Sequence, residues 1–134
     1  MATYVNDLRL TELATGEGSG TWGTTTNTNF ELIGESLSYG TEAAFGSDAN
    51  ATTTVADGST DPARSFYYKV TSGATLSTTR VLTIAPNTVS RVMIIENATT
   101  GSQVITIKQG SGTTVNIPSG GVKIVYLDGA CSGA

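Results

Sequence analysis

The sequence contains no histidine, a single cysteine and only three prolines, and just 13% of its 134 residues carry a charge. Without imidazole, neither a histidine metal site nor Ser-His-Asp or Cys-His nucleophilic catalysis is open to the chain. One cysteine, Cys131, excludes an intrachain disulfide and a multi-thiolate zinc site. No run of about 18 apolar residues occurs, so no transmembrane helix is expected. The stretch from Met1 to Asp7 has neither the basic start nor the apolar run of a secretion signal. The expectation is a protein made in a cytoplasm and either kept there or released by lysis.

Positive charge is scarce in the first half. Residues 1–61 hold nine acids and one base, Arg9, whereas residues 62–134 hold two acids and six bases. The net charge is −4 and the sequence pI is near 4.5, the opposite of the balance a nucleic-acid binder shows. The asymmetry fits either an acidic solvated face or complementary subunits whose opposite fields set register in an assembly.

What is abundant is hydroxyl: 24 threonines and 13 serines, together with 16 glycines. Threonine suits a pleated, half-exposed surface and glycine suits turns, so the composition reads as a β-rich domain with many turns. In residues 1–15 Val5, Leu8, Leu10 and Leu13 mix periods of two and three, leaving strand and helix both open. Residues 15–26 are glycine- and threonine-rich and read as a loop carrying Trp22, a side chain that buries a large area wherever it docks. One short helix is predicted near residues 29–39. Phe30, Ile33 and Leu37 share a face, Thr28-Asn29-Phe30-Glu31 has the form of a capping box, and Gly40 is placed to stop it. So short an apolar face must pack on something larger to persist.

Residues 40–63 are polar, with one predicted strand at 51–55 and a turn signal from Asp57 to Pro62. A border near residue 62 divides an N-terminal arm (1–61) from a β-domain (62–134). Six strands are predicted beyond it, at 64–70, 79–84, 90–96, 103–109, 113–117 and 122–127. Short turn-rich connectors join them, as antiparallel hairpins require. The predicted fold is mainly β: an antiparallel β-sandwich or jelly roll with an N-terminal arm carrying one short helix. Val92, Met93, Ile94 and Ile95 are apolar on both faces of their strand, which points to cover from the helix or, preferably, a neighbouring subunit.

Other motifs resolve toward plain structure. Gly18-Ser19-Gly20-Thr21-Trp22-Gly23 matches a dinucleotide fingerprint in form, but no β-α-β pattern follows and Trp22 would crowd a pyrophosphate. Asn50-Ala51-Thr52 and Asn97-Ala98-Thr99 match the glycosylation pattern by chance in a threonine-rich chain. Glu31 and Glu35 read as solvated, and Asp57 and Asp61 as turn formers rather than a carboxylate pair or calcium loop. Phe66, Tyr68 and Tyr126 are candidates for a sugar platform, with core packing the competing reading. No catalytic, cofactor-binding or metal-ligating set is assembled, and the chain is read as a non-enzyme.

Two segments carry a resemblance. Gly20-Thr21-Trp22-Gly23-Thr24-Thr25-Thr26-Asn27-Thr28-Asn29-Phe30-Glu31-Leu32-Ile33 resembles the opening of structural proteins of tailed bacteriophages, commonly tail-fibre or related appendage proteins. The stretch from Ile95 through Ile117-Pro118-Ser119-Gly120 to Gly129 is similar to a β-domain of the same virion proteins. The resemblance implies a non-enzymatic virion component, oligomeric and often trimeric, made in the bacterial host cytoplasm and released by lysis. It implies other virion proteins, tail or capsid subunits, as partners, and neither nucleic acid nor membrane insertion. The expected docking residues are Leu8, Leu10, Leu13, Trp22, Phe30, Ile33 and Leu37, and the expected subunit interface is Val92, Met93, Ile94 and Ile95. A head decoration protein and a host-glycan-binding module are the alternatives.

Overall fold

The computed structural model describes residues 2–130; Cys131 lies outside the described residues. The described residues are mainly β, with one α-helix. A two-stranded hairpin, β1 (Thr3–Val5) and β2 (Leu10–Glu12), precedes α1 (Trp22–Ser36). Then come β3 (Tyr39–Phe45), β4 (Ala51–Thr54), a 3-10 turn (Pro62–Arg64), β5 (Tyr67–Ser72) and β6 (Arg80–Ala85). The last four strands are β7 (Ser90–Asn97), β8 (Ile105–Lys108), β9 (Thr114–Ile117) and β10 (Val122–Asp128).

Eight strands form two four-stranded sheets, ordered β10-β7-β5-β3 and β4-β6-β8-β9. The chain alternates between them from β3 through β8. In consequence β3 pairs β5, β5 pairs β7, β4 pairs β6 and β6 pairs β8, all in parallel. Within these two sheets only β10 with β7 and β9 with β8 run antiparallel. The expected antiparallel sandwich or jelly roll is therefore corrected to two mixed sheets wound by one chain. Parallel neighbours need a long crossover, and here the crossover is a strand of the opposite sheet with its two links. The short connectors read as hairpins mostly step between sheets; the link from β8 to β9 alone turns back within one.

Inward residues of both sheets meet in a single buried cluster that includes Phe45, Tyr68, Leu82, Met93, Ile95, Ile105, Ile107 and Val125. Two buried amides pin its ends. Asn97 donates to the carbonyls of Gln103 (2.9 Å) and Ile117 (3.0 Å) and accepts from the Thr99 hydroxyl (2.6 Å). Gln109 donates to the Val89 carbonyl (2.8 Å) and accepts from the Gly129 amide (3.1 Å). Each closes contacts between segments far apart in sequence, as a buried amide must to be satisfied.

The sheets do not begin at residue 62. Strands β3 and β4 precede that border, pair into the two sheets, and place Phe45 and the adjoining Val55 in the same buried cluster. The helix also differs from its predicted span, starting at Trp22 and ending at Ser36 with Leu37 as C-cap. Thr21 is its N-cap and makes no side-chain capping bond. Asn29, expected in a capping box, instead sits mid-helix. Its amide donates to the Thr11 carbonyl (2.9 Å) and its oxygen accepts from the Thr11 amide (3.0 Å). That tertiary clamp to β2 outweighs the weak helix propensity of the threonine run.

Candidate functional site

The helix seats one side on the body and leaves another bare. Leu32 and Ser36 are buried, whereas Trp22 is 65% exposed, Phe30 66% and Leu37 77%, with Ile33 at 38%. At 100° per residue, these four exposed side chains fall within an arc of about 80°. The face expected from Phe30, Ile33 and Leu37 is therefore present, but it is not the face that packs on the rest of the chain. Leu8, Leu10 and Leu13, expected beside them, are half-buried and not part of this stripe.

The outer face of the β10-β7-β5-β3 sheet is the second bare surface. Cross-strand register sets Ile124 beside Ile94, Ile94 beside Tyr67, and Tyr67 beside Tyr39, an unbroken row across all four strands. The Tyr39 and Tyr67 rings stack with centroids 5.7 Å apart. Tyr126 pairs with Val92 in the neighbouring row. Ile124, Tyr126, Tyr39 and Val92 are all exposed, at 46–73%. On the other side of this row Lys69 and Glu96 pair at 4.0 Å, so the border is polar but balanced.

The opposite sheet provides an internal comparison. Its outward rows run Thr52, Thr83, Lys108, Thr114 and Val81, Thr106, Asn116. One core thus carries a hydroxyl-rich outer face on one sheet and an aromatic and aliphatic outer face on the other. Scattered exposed apolar residues are ordinary, but a contiguous patch marks an interaction surface.

Of the expected interface residues, Met93 and Ile95 are fully buried in the core and are removed from it. Alternation places only Val92 and Ile94 outward. Tyr68 is likewise buried, which removes it from the expected sugar platform; burial and then the Glu42 carboxylate push its hydroxyl pKa up. Ile124 and Tyr39 were not among the expected sites, and Tyr126 was expected only as a sugar-platform candidate, not as part of a subunit interface. The doubly apolar run Val122 to Leu127 carries the same signal as β7 and could have shown two of them.

The arm is fastened beneath these surfaces by Arg64, whose side chain is fully buried. Its Nη1 donates to the Leu8 carbonyl, and its Nη2 to the carbonyls of Ala56 (2.5 Å) and Ser59 (2.8 Å). Asp61 lies 3.8 Å from Nη2 and Glu35 of the helix 3.9 Å from Nε. Burial lowers the Arg64 pKa against the opposing fields of Asp61 and Glu35. Burial raises that of Asp61 against hydrogen bonds from the Ala56 and Ala63 amides. Beside this cluster, Glu35, Tyr39, Thr41, Thr60, Asp61 and Ser65 line a shallow cleft of about 350 Å³. Asp57, read from sequence as a turn former, pairs with Arg9 at 2.7 Å. Among the described residues, no group of three or more Cys, Asp or Glu side chains is placed to hold a metal ion. No helix among them is long and apolar enough to cross a membrane.

No protein-family profile, curated protein or solved structure matches the chain.

Proposed function

We propose that this chain is a non-enzymatic structural component of a tailed-phage particle, of tail-fibre or appendage type. Its N-terminal arm docks it to a neighbour and its β-domain carries subunit contacts. The observation that carries this reading is the contrast between the two sheets. One outer face is a solvated threonine surface, and the other is an uncovered row of Tyr39, Tyr67, Ile94 and Ile124. An aqueous monomer gains nothing from that row, while a subunit buries it. The exposed stripe of Trp22, Phe30, Ile33 and Leu37 supports the docking role of the arm. The resemblance of Gly20 to Ile33 and of Ile95 to Gly129 to virion proteins supplies the setting.

The test is immunogold electron microscopy of purified particles of the encoding phage, with antibody to the β-domain. Label on the tail or its appendages is the expected result. Label on the head would favour a decoration protein instead. No label on intact, permeabilised or partly disassembled particles would overturn the virion reading.

A further inference from the structure

We infer that the helix stripe of one copy packs on the apolar sheet face of a second copy, head to tail. This rests on the reading of the chain as an assembly subunit. It goes further by naming both surfaces and by making the arm's neighbour another copy of the same protein.

The chain carries two unpartnered apolar surfaces of different shape. One is convex and narrow, a helical stripe of Trp22, Phe30, Ile33 and Leu37; the other is a broad, pleated face centred on Ile94 and Ile124. A helix stripe over a sheet face is a standard way to bury both. Within one copy each stays exposed, so the chain does not use its own helix as the cover.

Size supports the match. Aromatic side chains present about 150–250 Å² each, so Trp22 and Phe30 at two-thirds exposure offer about 300 Å² before Leu37 and Ile33 are added. Tyr39, Tyr126 and Ile124 offer a comparable area. Burying one surface on the other removes on the order of 1,000 Å², which reaches the lower bound for a specific interface.

Charge weighs against pairing helix on helix. Residues 15–40, which contain the helix, carry Glu17, Glu31 and Glu35 and no Lys or Arg. The outer face of strands β5, β7 and β10 carries Lys69 against Glu96 and Asp128, because Arg91 and Lys123 pair with the core residues Leu127 and Ile95 and so lie on the inward register. A helix-to-sheet contact sets the three acids of the helix segment beside this nearly balanced face, whereas helix-to-helix contact would set three acids against three. Such a contact is heterologous, so it closes into a ring or continues as a filament.

Sedimentation velocity of the whole chain with Phe30→Glu and Ile124→Glu tests this. The parent is expected to sediment as an oligomer, and each variant alone as a 13.7 kDa monomer. Mixed in equal amounts, the two variants are expected to form a 1:1 dimer. The intact helix of Ile124→Glu then meets the intact sheet of Phe30→Glu. Trp22→Glu and Tyr126→Glu form a second pair, used if thermal unfolding shows that either first variant is misfolded. A monomeric parent at about 100 μM overturns the inference, as does a Phe30→Glu variant that still assembles while Ile124→Glu does not, or a mixture that stays monomeric. Particle labelling is independent of these outcomes. A labelled particle with a monomeric free chain sinks the head-to-tail contact and leaves the virion reading standing.

Discussion

Replacing Arg64 with methionine removes the fastening between the arm, the 56–61 loop and the helix. The side chain is fully buried and supplies donors to the carbonyls of Leu8, Ala56 and Ser59. Its loss takes the donor from those acceptors and the paired positive charge from Asp61 and Glu35. Breaking a buried ionic cluster by removing one partner costs about 3–5 kcal/mol. The lower end applies here for two reasons. Asp61 keeps hydrogen bonds from the Ala56 (2.7 Å) and Ala63 (2.8 Å) amides, and Glu35 keeps a third of its side chain in water. Desolvation of the guanidinium in the parent also offsets part of the loss, because its Nε has no hydrogen-bond partner. The expected loss is therefore about 3 kcal/mol. With a urea slope of about 2 kcal/mol/M, the unfolding midpoint falls by about 1.5 M with the slope unchanged. Arg64→Lys retains the charge but cannot span three carbonyls, and is expected to fall between parent and methionine variant. Glu35→Gln, touching only the half-open edge of the cluster, is expected to cost under about 1 kcal/mol. A methionine variant as stable as the parent would refute the reasoning. It would mean that burying the guanidinium costs as much as its bonds return.

Three further outcomes are expected. Gly101→Ala places a Cβ 2.1 Å from the Leu76 carbonyl oxygen at a φ of +107°, and is expected to cost about 2–4 kcal/mol in urea unfolding. Gly34→Ala, on the open side of the helix with nothing within 4 Å, is expected to gain up to about 1 kcal/mol; equal effects at the two sites would contradict the packing described. Asp48 is held well below the usual carboxylate range by the Arg80 guanidinium, then by the Ser77 hydroxyl and amide. A depressed folded pKa gives stability that is full above the unfolded value near 4 and is lost as pH falls toward the folded value. The melting-temperature gap between parent and Asp48→Asn should therefore stay constant above about pH 5 and close below about pH 4. A gap that widens on acidification would contradict this assignment.

Strands β5 to β10 were legible because runs such as Arg91 to Ile95 and Val122 to Leu127 are dense in β-branched and aromatic residues. Their connectivity was not. A short link with Gly, Pro or Asn serves equally to reverse a strand within its sheet or to carry the chain to the facing sheet. Nothing local in Ala85-Pro86-Asn87 distinguishes the two. Strand β3 was hidden by Gly40, Thr41, Glu42, Ala43 and Ala44, weak strand formers in the main. The parallel ladder to β5 and the Phe45 anchor in the core hold it instead. The start of the helix was hidden by its threonines and Gly23, and Asn29 looked like a cap because its partner, Thr11, is 18 residues away. The helix stripe was legible as a set, but not which way it faces. The core takes Leu32, one residue from Ile33. In β7, apolar residues on both faces signalled a covered strand, but only the pleat separates buried Met93 and Ile95 from outward Val92 and Ile94.

The most direct test of the apolar sheet face as an assembly surface is oxidative footprinting by mass spectrometry, comparing the dilute free chain with the chain in purified particles. Tyr126 and Ile124 are 57% and 73% exposed in the single chain, and Tyr4 on the N-terminal hairpin is 40% exposed. Strong protection of Tyr126 and Ile124 in the particle, with Tyr4 oxidised at its free-chain rate, is the predicted result. Equal oxidation of Tyr126 and Ile124 in the two states would contradict the account.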